Sequence, residues 1–138
     1  MIDGILDTSV VVRYLVGSPA DQAARARRLI DSEQTFGISS VALIETYHVL
    51  ATLYSVPRDI LVDALTGLLQ RENIRTLDAE KAHVICGIGL CRGSGRVSCG
   101  DALLWASTRS LTPAAGPPAR IYTFDRRFPS ENVEAVSP

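Results

Sequence analysis

Four carboxylates stand beside or within apolar stretches of this chain. Asp7 follows the short apolar segment DGIL, Glu45 lies inside ALIETYHVL, Asp101 inside SCGDALLWAST, and Asp125 directly follows RIYTF. Each has an ordinary structural explanation. Asp7 reads as a helix cap or Asx turn. Asp101, three residues after Ser98, reads as the back-reaching acid of a capping box. Asp125 reads as a turn residue paired with Arg126 or Arg127. Glu45 is harder to place, because no Lys or Arg shares its helix and only His48, three residues on, could pair with it. An unpaired buried carboxylate is expensive, and carboxylates gathered in one cleft raise one another's pKa. A divalent cation relieves both costs. Oxygen donors without a His or Cys cluster favour Mg²⁺ or Mn²⁺ over zinc, and such an ion suits hydrolysis of a phosphodiester.

The elements that must position these acids alternate. DGIL, TFGIS, NIRTL and RIYTF read as short strands, with VEAV as a possible fifth. Asp7-Thr8-Ser9 caps a helix over the apolar run Val10 to Val16. A second helix begins at Pro19, with Ala23, Ala26, Leu29 and Ile30 along one face. Ser39 or Ser40 caps the helix that carries Glu45. A fourth runs from about Pro57 to Arg71, with Ile60, Leu61, Ala64, Leu65 and Leu68 at helical spacing. Asp78 is expected to cap a fifth, which reaches about Arg92 and ends in the turn Gly93-Ser94-Gly95. Ser98 opens a sixth, through Leu111, and TPAAGPPA reads as loop. Strands alternating with helices predict an α/β domain built on a mainly parallel sheet. Ligands of such sheets bind outside the carboxyl ends of the strands, where Asp7 and Asp125 both fall.

Composition narrows the class. At 138 residues, 46% hydrophobic and 21% charged, the chain suits one globular domain. No apolar run approaches the roughly 18–20 residues of a membrane span. The amino terminus lacks the basic start of a signal peptide, so a cytoplasmic location is expected. Net charge is −1 and does not by itself announce nucleic acid, yet thirteen of the fourteen basic residues are arginines, which grip phosphate bidentately. Cys86, Cys91 and Cys99 contain no Cys-x-x-Cys pair, favouring neither a disulfide framework nor a zinc site; buried or half-buried packing is expected of them.

Four blocks, ILDTSVVVRYL, ISSVALIETYHVL, SCGDALLWAST and IYTFDRRF, resemble in that order the acidic blocks of PIN-domain proteins. They are most similar to those of the small VapC-like toxins of toxin–antitoxin pairs, and the resemblance extends over residues 1–138 as a single domain. It implies a three-layer α/β/α fold with a mainly parallel central sheet of four to five short strands. It also implies a Mg²⁺- or Mn²⁺-dependent endoribonuclease, often dimeric, that cuts structured RNA such as tRNA or rRNA and is inhibited by a cognate antitoxin. Carried over block by block, the family's acids fall on Asp7, Glu45, Asp101 and Asp125. Asp7 and Asp101 are then the principal metal ligands; Glu45 and Asp125 ligate through water, hold a second ion or orient the nucleophile. Ser9 and Thr123 take supporting positions behind the acids. Tyr47, His48 and Pro129 depart from the family pattern.

Arg126 and Arg127 lie beside the last acid and are the best local candidates for RNA contact, followed by Arg92 and Arg96. Arg25, Arg27 and Arg28 read as a solvated helix face, and Trp105 as core or dimer interface. Tyr47, Leu50 and Tyr54 suggest a helical surface for a partner protein. The competing reading is a PIN-like protein- or RNA-binding module that no longer cleaves. A phosphatase with an Asp nucleophile would need Asp-x-Asp, whereas Asp7 is followed by Thr8-Ser9. A phosphate receiver would want a late Lys, and the only lysine is Lys81. A structure-specific DNA nuclease shares the acids but usually brings basic insertions that this length does not accommodate.

Overall fold

The computed structural model describes residues 1–93, 96–112 and 115–138. The chain forms two compact units, Met1–Leu77 and Asp78–Pro138.

In the first unit β1 (Gly4–Ile5), β2 (Phe36–Ile38) and β3 (Ile74–Thr76) form a parallel sheet in the order β1-β2-β3. Gly4 faces Phe36 across the first pair, and Phe36 faces Ile74 across the second. The crossovers are helical: α1 (Thr8–Val16) and α2 (Ala20–Ile30) link β1 to β2, while α3 (Ser40–Thr52) and α4 (Arg58–Leu69) link β2 to β3. Gly17 closes α1 in the left-handed conformation, where a side chain would be strained. At Gly37, in the middle of the sheet, an added Cβ would come within 2.9 Å of Ile5 and 2.8 Å of Leu77, so the central strand is bare because its neighbours need the space. The core gathers Leu6, Val11, Val12, Ile30, Ile38, Leu43, Leu61, Leu65 and Leu69. Asn73 fastens α2 to β3 by donating to Ile30 O (2.8 Å) and Gln34 O (3.1 Å), and Arg71 pairs with Asp31 at 2.9 Å.

In the second unit α5 (Lys81–Leu90) packs on α6 (Cys99–Leu111), followed by β4 (Arg120–Tyr122) and β5 (Glu134–Val136), which pair in parallel. The helices approach closely at Gly87, where a Cβ would lie 2.7 Å from Ala102 O. Trp105 is buried and its indole N–H donates to Glu131 O at 2.9 Å, tying α6 to the segment before β5.

Among the described residues the five short parallel strands occur as a sheet of three in the first unit and a pair in the second. Helix α5 starts at Lys81 with Glu80 as its cap, not at Asp78. Leu29 and Ile60 were expected on apolar faces but are 38% and 59% exposed; the buried stripes pass instead through Ala23, Ala26 and Ile30, and through Leu61, Leu65, Leu68 and Leu69. Cys86 is exposed, in contrast to buried Cys91 and Cys99, and no disulfide joins any of the three. Burial pushes the Cys99 thiol up to about 12, with Cys91 adding to the effect. Ser94 and Gly95 of the turn after α5, and Pro113 and Ala114 of TPAAGPPA, lie outside the described residues. No described helix is long and apolar enough to cross a membrane.

Candidate active site

Strand β1 ends at Ile5, one buried leucine intervenes, and Asp7 caps α1 from extended backbone. Its Oδ2 accepts both the Ser9 hydroxyl (2.7 Å) and the Ser9 amide (3.2 Å). These bonds, the hydroxyl foremost, hold the Asp7 carboxyl below its ordinary range.

Glu45 arrives from a different strand–helix crossover. Ser39 follows β2 and caps α3 by accepting the Ala42 amide at 3.2 Å. Two turns into that helix, Glu45 is exposed rather than buried among its apolar neighbours, because Val41 and Ile44 beside it are themselves open to solvent. Its Oε2 accepts the Thr8 hydroxyl at 2.9 Å, a contact across 37 residues. No hydrogen bond joins Glu45 to His48, whose side chain is exposed and whose carbonyl accepts from Thr52. Asp7, Thr8 and Glu45, with Ser39, Val41 and Ala42, line one cleft of about 410 Å³ just beyond the carboxyl ends of β1 and β2. Ser9 also lines a larger cleft of about 540 Å³ with Arg13, Gln22 and Arg25. Thr8 is the participant that sequence reasoning missed: the Asp-Thr-Ser cap was legible, but the hydroxyl that reaches Glu45 belongs to its middle residue.

The other two acids belong to the second unit. Asp101 is half-buried in the first turn of α6, and its amide donates to the Ser98 hydroxyl oxygen at 3.1 Å, which is half of a capping box. Asp125 is exposed in the turn after β4, where its Oδ1 accepts the Arg127 amide at 2.9 Å. Thr123 joins the same turn: its hydroxyl oxygen accepts the Asp125 amide at 3.0 Å, and its own amide donates to Val136 O at 2.9 Å. Arg92, Arg96, Arg126 and Arg127 are all exposed, as are Arg25, Arg27 and Arg28. Tyr54 is exposed as well, whereas Leu50 is buried and takes no part in a partner surface.

Among the described residues no group of three or more His, Cys, Asp or Glu side chains is placed to hold a metal ion. Mg²⁺ asks for less. It is usually bound through one or two carboxylates, with waters and substrate phosphate completing its shell. The cleft of Asp7 and Glu45 supplies two carboxylates and hydroxyls, hard oxygen donors alone. Its chemistry fits a hard divalent ion held open to substrate.

The PIN domain family matches residues 4–130. The search of curated proteins found no match. PIN domains are generally nucleases and generally use divalent metal ions, in keeping with a pair of carboxylates at the carboxyl edge of a parallel sheet. With the match running from residue 4 to residue 130 of 138, the chain belongs to the PIN domain family.

Proposed function

We propose that the chain is a Mg²⁺- or Mn²⁺-dependent endoribonuclease. It cuts structured RNA such as tRNA or rRNA in the cytoplasm, acting as the VapC-like toxin of a toxin–antitoxin pair, and works as a homodimer restrained by a cognate antitoxin. The observation that carries this reading is the convergence of Asp7 and Glu45, from two separate crossovers, on one cleft of a PIN-family chain.

Asp7 and Glu45 would hold a divalent cation, whose chemistry when bound would be to lower the pKa of a water and to screen the phosphate charge. The chain's own residues prepare the place. Ser9 holds the Asp7 carboxyl below its ordinary range through two bonds to one oxygen. Thr8 donates to Oε2 of Glu45 and thereby tethers that carboxylate to the cap of α1. The apolar residues Leu43 and Leu50 anchor α3 in the core, so Glu45 is carried on a rigid element. Asp101 and Asp125 enter on their positions in the third and fourth family blocks, with Thr123 steadying the turn of Asp125. Arg126, Arg127, Arg92 and Arg96 meet RNA phosphates.

Purified protein, freed of any antitoxin, is incubated with total RNA in Mg²⁺, in Mn²⁺ and in EDTA, beside Asp7→Asn and Asp101→Asn. Metal-dependent cleavage by the parent chain that both substitutions abolish is the expected result. Cleavage that survives both would remove the acids from the mechanism, and no cleavage of any RNA would return the silent binding module.

A further inference from the structure

The β4 edge carries a pattern that the acidic site does not use. Tyr122 is 64% exposed and Phe124 is 83% exposed, two aromatic rings within three residues. Isolated exposed apolar side chains need no explanation, but these are interleaved with arginines. Arg120 itself is paired with Glu134 at 3.1 Å. Phe124 and Arg126 line one open cleft of about 340 Å³ with Thr123, Asp125 and Ser137. Arg127 follows, also exposed.

We infer that this edge is a stacking platform for an unpaired stretch of RNA, with Tyr122 and Phe124 taking base faces and Arg126 and Arg127 taking phosphates. Aromatic rings beside a cationic groove are how proteins hold single strands. A protein–protein contact instead concentrates apolar residues and sheds charge at its centre, whereas here Thr123, Asp125, Arg126 and Ser137 share the cleft with Phe124. Duplex RNA hides its base faces, so the platform selects loops, bulges and ends. Glu134 already neutralises Arg120, leaving Arg126 and Arg127 as the phosphate contacts. The choice of RNA as ligand rests on the nuclease reading, but the platform needs neither metal nor acids to bind.

The test is fluorescence anisotropy of the full chain with a labelled unpaired oligoribonucleotide and with a duplex of the same sequence, both in EDTA so that nothing is cut. The unpaired strand binds more tightly than the duplex. Tyr122→Ala with Phe124→Ala weakens that binding about tenfold or more, while Tyr122→Phe with Phe124→Tyr, which keeps both rings, retains it. Two phosphate contacts give a salt slope of about −1.4 in log K against log salt, which Arg126→Gln with Arg127→Gln flattens. Because both rings are exposed, circular dichroism of the alanine variant stays at the parent spectrum. Equal binding of strand and duplex, unchanged affinity in the alanine variant, or no binding at all in EDTA overturns the platform. So does an alanine variant that changes the oligomeric state in sedimentation while leaving RNA affinity untouched, which would make the edge a protein interface. Strand binding without cleavage in any metal refutes the nuclease reading alone.

Discussion

The two halves of this chain hold their acids in different ways. In Met1–Leu77, Asp7 and Glu45 come from separate crossovers, and a hydroxyl from the cap of one helix holds the carboxylate of another. In Asp78–Pro138, Asp101 and Asp125 each sit in a local motif, a helix first turn and an Asx-type turn, bonded within three residues of themselves. The difference lies in the sheets. Three parallel strands set two helix amino ends beside one another at a common edge, while the two-stranded sheet of β4 and β5 offers a turn and a groove. Carboxylates acting together thus require a sheet that aligns helix starts; a carboxylate that shapes a turn needs only its own neighbours.

The sharpest way to break that contrast is at Asp7. Asn caps a helix as well as Asp does, so Asp7→Asn should leave thermal stability near the parent value while lowering metal-dependent cleavage about a hundredfold or more. A large loss of stability would instead make Asp7 a cap and nothing further. Next in size is packing in the second unit. Gly87→Ala drives a Cβ into Ala102 O and should cost about 1–3 kcal/mol in urea unfolding; an unchanged midpoint would mean that α5 and α6 are looser than their contact implies.

The bond between helices comes third. Thr8→Val removes the donor to Glu45 and should lower activity about tenfold with little change in unfolding, whereas Asp125→Ala should lower activity and also loosen the turn that its carboxylate closes on the Arg127 amide. Glu45→Gln should lower activity with the fold intact, since an amide oxygen can still accept from Thr8; unfolding of that variant would give Glu45 a structural role. The smallest effect is electrostatic. Ser9→Ala removes the hydroxyl that depresses Asp7, so the carboxyl titration moves up toward 3.8, read by NMR in metal-free buffer. Because the folded value lies below the unfolded one, the stability tied to Asp7 is present above the unfolded pKa. It is lost as pH falls through the folded value, and Ser9→Ala narrows that acidic window.

Much of the frame could be read from residues in order. The strands fell where short apolar runs end in cap residues, and Ser39, Ser98 and Asp7 cap the helices expected of them. Helix α5 starts later than Asp78 suggested, because an acid before Ala79-Glu80 resembles a cap whether or not the backbone turns there. Leu29 and Ile60 were misplaced because helical spacing identifies an apolar arc but not its edges. Glu45 was read as a charge among apolar residues; it is an exposed charge, because α3 is not covered on that side.

By itself the sequence determined much of the local chemistry: the caps at Asp7, Ser39 and Ser98, which runs extend, and that acids stand beside those elements, since caps and periodicity act over a few neighbouring residues. Tertiary structure alone decided that Thr8 rather than His48 meets Glu45, that the strands divide three and two, and that Tyr122 and Phe124 stand open to solvent. Those outcomes depend on which surfaces meet through space across tens of residues, and a hydrophobic period records only that a face is apolar, not what will lie against it.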